Sequence, residues 1–235
     1  QNVHQRTFDL ALYARVAWGF SHGDGWSPVL NTHALGAHLS PALFLLGWLG
    51  RLASALGAQH GQVWVLLGAQ AGCVALALWP FARIAARRVG LRGVWLAVAA
   101  WLLYPNLGHV TTYEFHPGTL AVLPMAWAYD ALDRGKLSAL GWASLGVLAC
   151  REDLGAFCVL IALLAYREHA DRKALGLALA CLLYSGLATA IVVLYAPDNG
   201  SLSQHFGAWG GSPWGVFKVL FDDPARVTEH FGTRE

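Results

Sequence analysis

Three stretches of this chain, 52–82, 93–113 and 174–197, carry no Asp, Glu, Lys or Arg, and most of their positions are apolar. Each reaches the roughly 20 residues a helix needs to cross about 30 Å of bilayer hydrocarbon. A surface helix of a water-soluble domain would interrupt such runs with a polar stripe. The pattern therefore predicts membrane-spanning helices. Shorter apolar stretches extend the series to six expected spans: 62–82, 93–110, 117–132, 137–150, 154–167 and 173–196. Those at 117–132, 137–150 and 154–167 are short, and they cross only if their charged flanks sit at the interfaces.

The connections alternate in charge. Arg83, Arg87, Arg88 and Arg92 fall between the first two spans, Arg134 and Lys136 between the third and fourth, and Arg167, Arg172 and Lys173 between the fifth and sixth. The positive-inside rule makes these three connections cytoplasmic. Segments 1–40, 111–117, 151–153 and 197–235 then face the exterior. Residues 41–58 are apolar but include Arg51, and they read as an interfacial or re-entrant helix. Three regions are expected: an exterior segment with juxtamembrane helices (1–60), a bundle of about six spans (61–197) and an exterior loop (198–235). The absence of a starting methionine suggests a preceding span or signal anchor, and the last region reads as cut short.

Composition agrees with the pattern. Hydrophobic residues make up 56% of the chain and charged residues 13%, about half the ~25% usual in soluble domains. A net charge of +2 with no basic stripe excludes a nucleic-acid partner. Cys73, Cys150, Cys158 and Cys181 sit in or beside apolar runs without CxxC spacing, and read as small apolar packing groups.

The candidate chemistry lies on the exterior side. Ionisable residues at membrane depth are functional candidates by default. Asp9 is either a first-turn acid of a helix or a general base in an exterior cleft. Glu114 and His116, just before Pro117, are either helix-start residues or ligands for substrate. Arg151, Glu152 and Asp153 form a polar turn, or an arginine clamp for phosphate oriented by acids. His38 is a further candidate. His22, His33 and His38 lack zinc-motif spacing, and no phosphate-binding glycine loop is present.

In order, Phe8-Asp9-Leu10 with Tyr13, His38-Leu39-Ser40-Pro41, Glu114-Phe115-His116-Pro117 and Arg151-Glu152-Asp153 resemble a family of bacterial membrane proteins, domain of unknown function 2079. The tail at 206–213, with Asp223-Pro224, resembles a degenerate form of that family's downstream exterior segment. The family is similar in layout to glycosyltransferases of the C fold, such as protein O-mannosyltransferases and lipid A aminoarabinose transferases. That resemblance implies an all-α, polytopic integral membrane bundle lacking its first span, in a bacterial cytoplasmic membrane of the cell envelope.

It also implies an enzyme whose site faces the periplasm and takes sugar from a polyprenyl-phosphate donor, with membrane lipid as its other partner. Asp9 would then be catalytic. His38, Glu114, His116, Arg151, Glu152 and Asp153 would bind substrate, and the donor's tail would lie in a groove beside 41–58. Paired acids are common in the first exterior loop of C-fold enzymes, but here Phe8 and Leu10 flank Asp9, so a divalent cation stays open. A transporter and a non-catalytic lipid-binding or assembly protein remain the alternatives.

Overall fold

The computed structural model describes residues 8–112, 114–196 and 213–223. The described residues are mostly helical: α1 (Phe8–Ser21), α2 (Pro41–Ala55), α3 (Gly61–Val89), α4 (Leu91–Leu103), α5 (Pro105–Thr112), α6 (Pro117–Leu120), α7 (Val122–Asp133), α8 (Leu137–Cys150), α9 (Gly155–His169), α10 (Lys173–Tyr195) and α11 (Pro213–Asp222). Between α1 and α2, the two-residue strands β1 (Trp26–Ser27) and β2 (Thr32–His33) pair antiparallel, and a 3-10 turn follows at Ala34–Gly36. The expected tail at 198–235 lies mostly outside the described residues.

Among the described helices, α3 and α10 are long and apolar enough to cross a membrane. Of the other expected spans, 93–110 and 117–132 divide, whereas 137–150 coincides with α8 and 154–167 lies close to α9. Residues 93–110 break at Tyr104, because Pro105 has no N–H to continue the helix and disfavours helical geometry in the residue before it. Residues 117–132 form α6 and α7 on either side of Ala121. The stretch 41–58 contributes α2, whose 15 residues reach about 22 Å. That is short of the roughly 30 Å of a full crossing.

The helices pack largely as sequence neighbours: α3 against α4, α7 against α8, α9 against α10, and α2 against both α1 and α3. Gly47 permits the α1–α2 contact, since a Cβ there would lie 2.1 Å from the Ala17 carbonyl oxygen. Much of the outer surface is apolar. Trp95, Leu96 and Leu102 on α4, Trp142 on α8, and Leu182, Leu187 and Leu194 on α10 all stand exposed. Apolar patches of this extent mark membrane or protein contact rather than water.

The two kinds of connection occupy opposite ends. At one end Arg87 and Arg88 meet Asp133, Arg87 and Arg134 meet Asp130, and His169 donates to the Leu132 carbonyl at 2.8 Å. At the other end the first turn of α1 and the segment before α2 meet the connections at 114–116 and 151–153. Helix α8 runs between the two ends, and its 14 residues set them about 21 Å apart.

Candidate active site

Two buried glutamates hold the N-terminal segment at this second end. Glu114 Oε2 accepts the backbone N–H groups of Asp9 and Leu10, the latter at 3.2 Å. These amides belong to the first turn of α1, which has no partners for them within the helix. A carboxylate there also meets the positive end of the helix dipole. Glu152 does the same further along. Its Oε2 accepts the Leu39 N–H at 3.0 Å and its Oε1 accepts His38 Nδ1–H at 2.9 Å, just before α2 starts at Pro41. Both glutamates are buried. The start of α1 and the approach to α2 are thus pinned by residues more than 100 positions away.

A third polar residue fixes the connection that carries Glu114. Gln70, inside α3 and 1% exposed, donates through Nε2 to the carbonyls of Val110 (2.9 Å) and Glu114 (3.4 Å). Its Oε1 accepts the His116 N–H at 2.9 Å. A side-chain amide in an apolar helix is costly unless it is paired, and here both of its ends are used. His116 is thereby set so that its Nε2 lies 3.3 Å from Asp9 Oδ2. Tyr13, one turn after Asp9, packs edge-on against Phe115 and His116.

These elements enclose a cavity of about 600 Å³. Its polar lining comprises Asp9, Tyr13, His38, Ser40, Arg151, Glu152, Asp153 and Thr189, and its apolar wall includes Leu12, Val16, Leu43 and Val192. Five of the seven residues singled out from the sequence line it. The other two stand behind Asp9: His116 contacts its carboxylate, and Glu114 holds its backbone. Arg151 is engaged by Asp153, which accepts Nε at 3.0 Å and an Nη as well.

Burial raises the Tyr13 phenol above its usual pKa, and the nearby Asp9 and Glu152 charges add to this while Arg151 opposes it. Tyr13 therefore enters the cavity as a neutral hydrogen-bond donor. Asp24, by contrast, belongs to the far end of α1. It pairs with Arg15 at 2.7 Å and accepts the Trp26 N–H at 2.9 Å, and these hydrogen bonds lower its pKa. It is not a partner of Asp9.

Tyr13, Ser40 and Gln70 were not singled out as site residues from the sequence. Tyr13 had a legible signal, since four residues after Asp9 shares its helix face. Ser40 places an unpartnered hydroxyl in a residue only 1% exposed. Gln70 stands in an uncharged stretch but gave no sign of what it would bind. Among the described residues no group of three or more His, Cys, Asp or Glu is arranged for a metal ion, and His22 and His33 lie outside the cavity lining.

The geometry separates the roles of the two acids in a testable way. Glu114→Ala strips the acceptor from two helix-start amides, and is expected to destabilise the protein by about 1–3 kcal/mol. Glu114→Gln keeps a carbonyl acceptor and should lose less. The check is the midpoint of thermal unfolding in detergent; equal midpoints for wild type and alanine variant would refute the capping role.

A family model described as "Predicted membrane protein (DUF2079)" matches residues 1–235. No curated protein and no solved structure matches the chain.

Proposed function

The chain belongs to the DUF2079 family of predicted membrane proteins, and we propose that it is a polytopic membrane glycosyltransferase with the layout of the C fold. It takes sugar from a polyprenyl-phosphate donor on the periplasmic face of the bacterial cytoplasmic membrane. One observation carries this reading: Asp9, backed by His116, shares a single cavity with Arg151 at the end opposite the arginine-rich connections. This arrangement supports Asp9 as a base and Arg151 as a phosphate-binding group, acting together on the face the positive-inside rule assigns to the exterior.

The chemistry follows from the residues. Asp9 accepts the proton of the acceptor hydroxyl as that oxygen attacks the anomeric carbon. The bond from the anomeric carbon to the phosphate oxygen breaks, and its electron pair leaves with the phosphate. Arg151 stabilises that developing charge. Tyr13 donates a hydrogen bond to the same group or to a sugar oxygen. His116 and His38 orient Asp9 and Glu152, respectively.

The cavity wall also carries Glu152 and Asp153, so an incoming phosphate competes with Asp153 for the guanidinium. The donor's chain leaves the cavity past the first turn of α2, into lipid.

The test is transfer of radiolabelled sugar from a panel of polyprenyl-phosphate donors in membranes carrying the full-length protein. Label moving to an acceptor above the level of empty membranes is the expected result. A silent protein across the panel would overturn the reading in favour of a transporter or a non-catalytic lipid-binding protein.

A further inference from the structure

The arginine-rich end holds an ion cluster that the proposed reaction does not use. Asp130 is fully buried, with Arg87 at 2.7 Å and Arg134 at 2.9 Å. Asp133 holds Arg87 at 2.7 Å and Arg88 at 2.6 Å. Four guanidiniums thus face two carboxylates, leaving an excess of two positive charges. Arg83 is the least committed of the four. It stands 3.8 Å from Asp130, beyond hydrogen-bond range, and its side chain is 36% exposed. Its guanidinium instead lies over the Trp127 ring, 5.3 Å from the centroid.

Trp127 is also a wall of a second cavity, an open apolar groove of about 620 Å³ between α2, α3, α7 and α8. Leu45, Cys73, Leu123, Trp142 and Ala143 are among its other walls. The groove shares no lining residue with the polar cavity. The first turn of α2 divides them, with Ala42 facing the groove and Leu43 the cavity. Through Trp127 the groove has Arg83 as a charged neighbour, and its volume falls in the range of ligand sites. An apolar slot ending at a cation with spare charge fits an amphiphile with an anionic head.

We propose that this groove seats an acyl chain of an anionic phospholipid from the leaflet at the arginine-rich end, with the lipid phosphate on Arg83. The Arg83–Trp127 stack sets the depth of the headgroup, and the Arg83 charge, which no hydrogen bond to Asp130 takes up, selects anionic over zwitterionic lipid. The site stands independently of sugar transfer, so either proposal can fail alone.

The experiment is native mass spectrometry of the delipidated full-length protein, titrated with phosphatidylglycerol or phosphatidylcholine. Wild type is expected to hold the first phosphatidylglycerol about fivefold more tightly than phosphatidylcholine. Arg83→Gln should erase that preference, Arg88→Gln should keep it, and Ala143→Phe should weaken the first bound lipid of either kind. In wild type, phosphatidylglycerol should also slow labelling of Cys73 by an apolar maleimide, a readout that needs no variant to fold. Preference surviving Arg83→Gln, or lipid that leaves Cys73 labelling unchanged, would overturn the proposal. So would protection of Cys73 by polyprenyl phosphate and not by phosphatidylglycerol, which would give the groove to the donor's chain.

Discussion

Replacing Asp9 with asparagine is expected to lower sugar transfer by about 10²- to 10⁴-fold, the usual contribution of a positioned general base. The substitution is nearly isosteric, and it leaves the start of α1 intact, because Glu114 grips the backbone amides of Asp9 and Leu10. Insertion and thermal midpoint should therefore stay close to wild type while kcat collapses. Asparagine can still accept a hydrogen bond from His116, so the orientation of the ring survives and the loss is one of basicity. An unchanged rate in a functional wild-type background would remove Asp9 from the chemistry and leave it as a first-turn acid of α1.

The second large effect concerns Arg151, the one arginine among the described residues that line the polar cavity. Arg151→Ala is expected to cost about 10²- to 10³-fold in transfer, as the loss of one preorganised charge stabiliser typically does. Arg151→Lys should recover part of it, since an ammonium supplies the charge but not the two-pronged geometry. Asp153 gives the opposite sign. Its carboxylate occupies the guanidinium in the resting site, so Asp153→Asn should lower the KM for the donor, provided Arg151 keeps its place. Measured KM and kcat for the three variants decide the matter. A donor KM raised by Asp153→Asn would show that Asp153 orients Arg151 more than it competes with substrate.

Such opposed effects from neighbouring residues could not be assigned before the fold was in view. Arg151, Glu152 and Asp153 read alike in the chain, as three charges at a tight turn. In the fold Asp153 binds Arg151 beside it, whereas Glu152 turns away to the Leu39 amide and His38. Glu114 was legible as a polar residue before a proline-started helix, but its use as the cap of α1, 105 residues earlier, was not. Asp130 lay within an expected span and drew no notice. Its burial is tolerable because Arg87 comes from α3 and Arg134 from the following turn to neutralise it.

What the chain determines by itself is local. The uncharged stretches predict apolar helices, since a backbone in hydrocarbon must satisfy its own hydrogen bonds. Pro41 and Pro117 mark helix starts, because a residue without an N–H loses nothing at the first turn. The clustering of basic residues in three short connections is likewise read directly from the chain. The tertiary structure decided which side chains share a cavity, which acids became caps, and that the apolar groove and the polar site are separate. Those outcomes rest on contacts between residues about 40 to 110 positions apart. Hydrophobic periodicity records which face of a helix is buried, but not which partner covers it.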